Sequence, residues 1–141
     1  MNRKTFLRTC GFACAGGSLF PALLSGCSGG AVMTGTLTGN ALVIPLSEFE
    51  ARSAGSSLIV YHARLHYPIG VFRHADGNFS AVWMSCTHQG TELQVFGDHL
   101  SCPAHGSEFT STGEVTSGPA DRPLRRFTVR NEHGNLTITL R

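Results

Sequence analysis

After residue 40, apolar and polar positions alternate over short runs that Gly, Asp and Asn residues separate. Side chains of a strand point alternately to its two faces, so this pattern predicts strands rich in β-branched and aromatic residues. The predicted strands cover residues 41–46, 58–62, 69–73, 79–84, 100–102, 108–110, 124–130 and 136–140. Asp76-Gly77 predicts a tight hairpin turn, and only residues 46–52 favour a short helix. The expected fold is all-β and antiparallel, with functional residues carried on loops.

The first 26 residues follow a different pattern, in which a basic start precedes an apolar, small-residue stretch over residues 10–24. This pattern is typical of a signal peptide. Residues 2–8, Asn-Arg-Lys-Thr-Phe-Leu-Arg, resemble a twin-arginine export signal with lysine as the second basic residue, and residues 24–27, Leu-Ser-Gly-Cys, resemble a bacterial lipobox. The resemblance implies a signal peptide over residues 1–26, lipidation of Cys27, and an extracytoplasmic, periplasm-facing protein anchored by lipid to a bacterial membrane. The alternative is an uncleaved anchor over residues 10–27, which is slightly short of the about 20 apolar residues that span a membrane.

Removing this leader changes the charge of the chain. The full chain has a formal net charge of +2, but the leader holds three of the eleven basic residues and none of the nine acidic ones. The remaining residues carry a net charge of −1, which argues against nucleic acid as a partner. A Gly/Thr-rich stretch predicts a flexible linker over residues 27–40, followed by one small domain over residues 41–141.

Four potential metal ligands occur as two pairs of one cysteine and one histidine. Cys86 and His88 lie in a Cys-Thr-His run, and Cys102 and His105 lie in a Cys-Pro-Ala-His run. The other three of the five cysteines fall in the leader or at the lipobox, so none is left for a disulfide. This ligand set suits a tetrahedral zinc site or a 2Fe–2S cluster with two Cys on one iron and two His on the other. Because each run supplies one ligand of each kind, the pairing favours two irons.

The two runs resemble the cluster-binding loops of the Rieske iron–sulfur family. Residues 86–90, Cys-Thr-His-Gln-Gly, and residues 102–107, Cys-Pro-Ala-His-Gly-Ser, are similar to its ligand loops. Residues 118–124, Gly-Pro-Ala-Asp-Arg-Pro-Leu, are similar to the proline-containing loop that covers the cluster. The resemblance implies a small antiparallel Rieske-type domain with a cluster-binding subdomain of loops and one 2Fe–2S cluster per chain. It implies four ligands, Cys86, His88, Cys102 and His105.

The resemblance also gives meaning to five further positions. Ser107 stands where high-potential members hydrogen-bond a bridging sulfide, and Phe109 stands where they have a tyrosine that donates to a ligand cysteine. Thr91 and Ala104 replace the cysteines of a loop-bridging disulfide in respiratory members, and Gln89 replaces an apolar residue near their quinol site. With one tuning donor kept and one lost, we expect a potential in the middle of the Rieske range of about −150 to +300 mV.

The chain shows no second metal motif, nucleotide-binding loop or catalytic dyad, so no catalytic residue is predicted. The leading function is one-electron transfer by a membrane-tethered carrier, rather than stand-alone enzyme activity. Its partners would be a redox protein donor and acceptor, such as a cytochrome or a quinol-oxidising complex. The alternatives are an electron-transfer subunit of a larger quinol- or arsenite-oxidase-like complex, and a zinc-stabilised binding module.

Changing Cys27 tests the predicted leader. If this residue is acylated, the native protein should begin at Cys27, and Cys27→Ala should leave the protein soluble or unprocessed. Mass spectrometry of the intact protein and cell fractionation measure these outcomes. Cys14→Ala changes a cysteine within the leader and should alter neither. Membrane-bound protein that keeps residues 1–26 would instead favour the uncleaved anchor.

Overall fold

The computed structural model describes residues 30–53 and 56–141. Within these residues the chain forms twelve strands and one short helix, which confirms the expected all-β fold. The strands are β1 (Ala31–Thr34), β2 (Thr36–Thr38), β3 (Ala41–Pro45), β4 (Ser57–Tyr61), β5 (Ile69–Arg73), β6 (Phe79–Trp83), β7 (Gln94–Phe96), β8 (His99–Ser101), β9 (Glu108–Thr110), β10 (Val115–Ser117), β11 (Arg126–Glu132) and β12 (Asn135–Thr139). The helix, α1 (Leu46–Arg52), lies between β3 and β4. The expected signal peptide and Cys27 lie outside the described residues, and no helix among those described is long and apolar enough to cross a membrane.

Eight strands form one sheet in the order β1-β4-β5-β6-β11-β12-β3-β2. Its neighbouring strands are antiparallel except β1 and β4, which pair in parallel. The strands β1 and β2 lie at opposite ends of this order, yet only Gly35 separates them along the chain. The sheet must therefore curl until its edges meet, and at the junction the N–H of Gly35 donates to the carbonyl of Tyr61 (3.0 Å). The eight strands thus form a barrel.

The barrel has one apolar core inside it and a second core against its outer face. Leu58 and Val60 of β4 belong to the inner core, which also holds the fully buried Phe49 of α1. Ile59, between them, belongs to the outer core. This alternation explains why four successive residues are buried in β4 and again in β5, since both faces of these strands are covered. Each fully buried side chain of this size contributes roughly 1.5–3 kcal/mol.

The outer core lies between the barrel and a small four-stranded antiparallel sheet in the order β10-β9-β8-β7. Leu100 of β8 and Phe109 of β9 are paired in this sheet, and both are fully buried. The loop between β8 and β9 leaves the sheet after Ser101. The opposite end carries the turn between β7 and β8, where Phe96 pairs with His99. The small sheet therefore presents different loops at its two ends.

Residues 31–38 correct the sequence analysis, because they form β1 and β2 where a flexible linker over residues 27–40 was expected. Ala31 and Met33 pack against the inner core, while Val32 between them is exposed. Burial thus alternates along β1, and threonine itself favours strands. Pairing with β4 and β3 decides the structure of this segment, which composition alone did not reveal. Residues 27–29 lie outside the described part of the chain.

Gly35 provides a test of the barrel junction. A methyl group there would lie 2.8 Å from Leu42 Cγ and 2.9 Å from Val60 Cγ1, both of which belong to the inner core. Gly35→Ala should lower the free energy of unfolding by about 1–3 kcal/mol, the usual cost of overpacking. Chemical denaturation followed by circular dichroism measures this change, with the exposed neighbour Thr36→Ala as the control. Equal stability of the two variants would contradict close packing at the junction.

Candidate metal centre

Two loops of matching geometry present the predicted ligands. In the first loop, the N–H of Cys86 donates to the carbonyl of Thr91 (2.8 Å), and the N–H of Gly90 donates to the carbonyl of Cys86 (2.8 Å). The second loop repeats both hydrogen bonds, at 2.8 and 3.0 Å, between the corresponding residues Cys102, Ser107 and Gly106. Both glycines have a positive φ, 73° and 77°, which residues with a side chain adopt only with strain. Each loop therefore closes on itself in the same way around its own cysteine.

The fold brings the four predicted ligands together beyond one end of the small sheet. Cys86 and Cys102 are each 2% exposed and belong to the outer core. The rings of His88 and His105 are exposed, with their centroids 5.0 Å apart and their planes at 87°. Among the described residues, no three His, Cys, Asp or Glu side chains are grouped as the ligands of one metal ion would be. The four side chains form a buried thiol pair and an exposed imidazole pair, although each loop supplies one of each.

Hydrogen bonds gather around the sulfur of Cys102. Burial by itself raises the pKa of this thiol. The pKa is nevertheless held below its usual value, because four groups hydrogen-bond the sulfur: the backbone N–H of Ala104, the thiol of Cys86, the backbone N–H of His105 and the hydroxyl of Thr91. The thiolate is the form of cysteine that binds metal, so these hydrogen bonds favour Cys102 as a metal ligand.

A third loop, residues 118–124, ties the two ligand loops together. The hydroxyl of Thr87, in the first loop, donates to the carbonyl of Arg122 (2.7 Å). The N–H of Ala120 donates to Oγ of Ser107 in the second loop (3.0 Å), and both residues are buried. A hydroxyl has two acceptor lone pairs and one donor hydrogen, and the bond from Ala120 uses only a lone pair. The hydroxyl hydrogen of Ser107 therefore remains available to a further acceptor.

The part of the chain that carries these three loops matches a known family. A family model for the Rieske [2Fe-2S] domain covers residues 41–128. The chain belongs to the Rieske 2Fe–2S family. As a Rieske domain it binds one 2Fe–2S cluster and transfers electrons, which confirms the expected family and cofactor. The zinc-stabilised binding module, left open by the residues alone, was wrong.

Two relatives and one solved structure illustrate what this Rieske domain is similar to. The cytochrome b6-f complex iron-sulfur subunit of Synechococcus elongatus is 32% identical over 135 residues, 88% of this chain and 73% of the relative. The subunit of the same name from Chlorobaculum tepidum is 33% identical over 66 residues, but these cover 45% of this chain and 36% of the relative. Among solved structures, the plasma membrane Rieske protein PetC3 from Synechocystis PCC 6803 is 29% identical, with a TM-score of 0.56 over 66% of this chain and 92% of that chain. The chain therefore spans only about a third of the Chlorobaculum relative's length.

The positions to which the resemblance gave a tuning or disulfide role lie close to the predicted ligands. Phe109 is fully buried in the outer core, the same core that holds both ligand-type cysteines. Thr91 and Ala104 both donate hydrogen bonds to the sulfur of Cys102. The two positions where the resemblance implied a lost disulfide thus supply donors to a sulfur atom. Gln89 is exposed beside His88.

Tyr67 is a contributor to the site that sequence reasoning missed. It lies in the connection between β4 and β5, and its hydroxyl donates to the carbonyl of Gly90 in the first ligand loop. Its ring meets Trp83 edge-on, with a centroid distance of 6.5 Å. Tyr67 and Gly90 are 23 positions apart in the sequence, and no local pattern signals this contact. Only the folding of β5 and β6 between them brings the two together.

Proposed function

We propose that Cys86 and Cys102 hold one iron of the Rieske cluster and that His88 and His105 hold the other. This assignment rests on one observation. Two loops that close in the same way place their two thiols as a buried pair and their two imidazoles as an exposed pair. Two thiols and two imidazoles are the ligand set of a Rieske cluster. The lowered pKa of the Cys102 thiol agrees with a role as a ligand.

When bound, the cluster accepts and returns one electron. The outer core excludes water from the two thiols, whereas the rings of His88 and His105 reach the surface. Neutral imidazoles bring no negative charge, unlike thiolates, and they favour reduction on their own side of the site. A redox partner would therefore exchange electrons at the exposed edge formed by the two histidine rings.

Replacing a proposed ligand tests the assignment. Anaerobically purified protein should contain iron and acid-labile sulfide and show a reduced-state EPR spectrum with the low average g of Rieske proteins. His88→Cys should move this spectrum toward that of an all-thiolate ferredoxin, or abolish cluster assembly, because a thiolate would replace a neutral ligand. His99→Cys changes an exposed histidine of the small sheet and should leave the spectrum unaltered. An unchanged Rieske spectrum from His88→Cys would remove His88 from the ligand set.

Two buried side chains are proposed to set the potential. Ser107 is fully buried, and the hydroxyl hydrogen that its bond with Ala120 leaves available can donate to the cluster. Such a hydrogen bond stabilises the reduced, more negative state and raises the potential. Phe109 is also fully buried but has no donor. The combination supports a midpoint in the middle of the Rieske range.

Voltammetry of two variants checks this account of the potential. Ser107→Ala should lower the midpoint by tens of millivolts, where about 59 mV corresponds to a tenfold change for one electron. Phe109→Tyr should raise it if the new hydroxyl reaches a ligand sulfur. The control is Ser117→Ala, because Ser117 is exposed at the end of β10. An unchanged midpoint in Ser107→Ala together with a lowered one in Phe109→Tyr would show that neither side chain is placed as proposed.

Location and partners belong to the same proposal. A lipid on Cys27, supported by the lipobox-like residues 24–27 and the leader before them, would tether the domain outside the cytoplasm. A tethered one-electron carrier of this kind would serve a redox protein donor and acceptor, with a cytochrome as the expected class. The Cys27→Ala experiment tests the tether independently of the cluster.

A second function is that of the Rieske subunit in a larger quinol-oxidising complex. The observation in its favour is the relative of 32% identity over 88% of this chain, which is named as a cytochrome b6-f complex subunit. The exposed, polar Gln89 beside His88 is less suited to an apolar quinol pocket than the residue it replaces. Purification from gently solubilised membranes separates the two functions. A carrier should elute alone, whereas a subunit should co-purify with a b-type cytochrome.

A further inference from the structure

The three large hydrophobic side chains that are exposed in the described part of the chain gather around one surface. Val32 is 53% exposed, Tyr61 40% and Phe96 43%. Tyr61 and Phe96 line one open cavity of about 320 Å³, together with Ile59. Val32 is the register partner of Ile59 in the parallel pair of β1 and β4, so it lies on the same face. These three exposed residues and the buried Ile59 beneath them form one surface, termed here the entry patch. Single exposed apolar residues are ordinary, but a group marks an interaction site.

The chain enters the fold at the entry patch. Gly30 directly precedes β1, and a methyl group on it would lie 3.3 Å from Ile59 Cγ1 and 3.5 Å from Val95 Cβ. The backbone of Gly30 therefore lies against the floor of the patch. Three peptide units join Cys27 to Gly30, and even fully extended they span at most about 11 Å. A lipid on Cys27 would thus hold this surface, and no distant one, next to the membrane.

We propose that the entry patch, Val32, Ile59, Tyr61 and Phe96, rests on the surface of a phospholipid bilayer. The inference depends on the proposed acylation of Cys27. Aromatic side chains with a polar end suit the headgroup region of a bilayer, and the hydroxyl of Tyr61 is already satisfied by Oε1 of Glu92 (2.8 Å). Exposed apolar side chains at the bilayer surface add to the affinity that the lipid supplies.

Charges at the rim of the entry patch select the kind of lipid surface. Glu92 lines the same cavity as Tyr61 and Phe96. His99 stacks on Phe96, with ring centroids 5.9 Å apart, and lies 3.6 Å from the carboxylate of Asp98. Two carboxylates and one histidine give this rim no net positive charge at neutral pH, so anionic lipid is not attracted. The surface that fits is a zwitterionic phospholipid bilayer.

The Phe96 side of the entry patch lies away from the proposed electron-exchange edge. Phe96 and His99 pair at one end of the small sheet. The loop that carries Cys102 and His105 leaves the sheet at the other end, after Ser101. Phe96 therefore lies at the end of the small sheet opposite the Cys102 loop, whereas Tyr61 contacts Glu92, which directly follows the first ligand loop. A protein held this way could meet a redox partner without leaving the bilayer.

Tryptophan fluorescence in vesicles tests the proposal with the full, mature protein carrying its cluster. Phe96→Trp and Val32→Trp place a reporter in the entry patch, and Thr128→Trp places one at an exposed position of β11, four strands from β1 in the sheet order. Each protein is reconstituted into phosphatidylcholine vesicles with plain or brominated acyl chains, and the unmodified protein gives the baseline from its single tryptophan, Trp83. We expect brominated lipid to quench the added emission of both patch variants and to leave that of Thr128→Trp unchanged.

Flotation of the same vesicles separates the possible failures. If the proteins float with the vesicles but neither patch variant is quenched, the tether stands and the docking surface is wrong. If they do not float and mass spectrometry finds Cys27 without lipid, the proposed tether fails and the docking inference falls with it. Unquenched patch variants combined with a dimer in sedimentation, broken by Phe96→Ser, would assign the patch to a second copy of the chain. Unquenched variants whose emission changes when a redox partner is added would assign it to that partner.

Discussion

The arrangement of the site depends on apolar packing between the outer face of the barrel and the small sheet. Each strand of that sheet has only three residues, too few to bury a core by itself. Its buried side chains Leu100 and Phe109 instead complete a core whose other half, including Ile59 and Phe72, comes from the barrel. Cys86 and Cys102 are part of the same core. The barrel therefore fixes where the two thiols lie, and the loops around them follow.

This packing divides the site into a side shielded from water and a side exposed to it. Thiols that belong to a core are shielded from water, while imidazoles two and three residues further along the same loops are exposed. The third loop then links both ligand loops, through Thr87 and through the buried contact of Ala120 with Ser107. In this chain, donors from Thr91 and Ala104 to the sulfur of Cys102 occupy the positions of an implied disulfide. Hydrogen bonds and core packing, rather than a disulfide, hold these positions together among the described residues.

The proposed acylation of Cys27, only three residues before Gly30, would give the barrel a second role. Because β1 pairs in parallel with β4, the beginning of the domain is part of the barrel wall rather than a flexible spacer. Under the proposed acylation, the barrel wall and the neighbouring Phe96 of the small sheet would be the surface nearest to a lipid on Cys27. A carrier built this way would have a defined orientation at the membrane instead of swinging on a long linker.

The sequence by itself predicted the five-residue strands of the barrel and the chemistry of the site. The positions of β3, β5 and β12, the helix over residues 46–52 and the two Cys-His runs were all readable, because local periodicity and ligand spacing are properties of short segments. Of the strands of three or four residues, β8 and β9 were predicted but β1, β2, β7 and β10 were not, because so few residues rarely stand out from Gly/Thr-rich loops. Only the tertiary structure decided that the sheet closes at Gly35, that Tyr67 holds the first ligand loop, and that thiols and imidazoles separate into buried and exposed pairs. These features depend on which distant segments pack together. The pattern of one segment indicates which of its faces is buried, but it does not indicate which other segment covers that face.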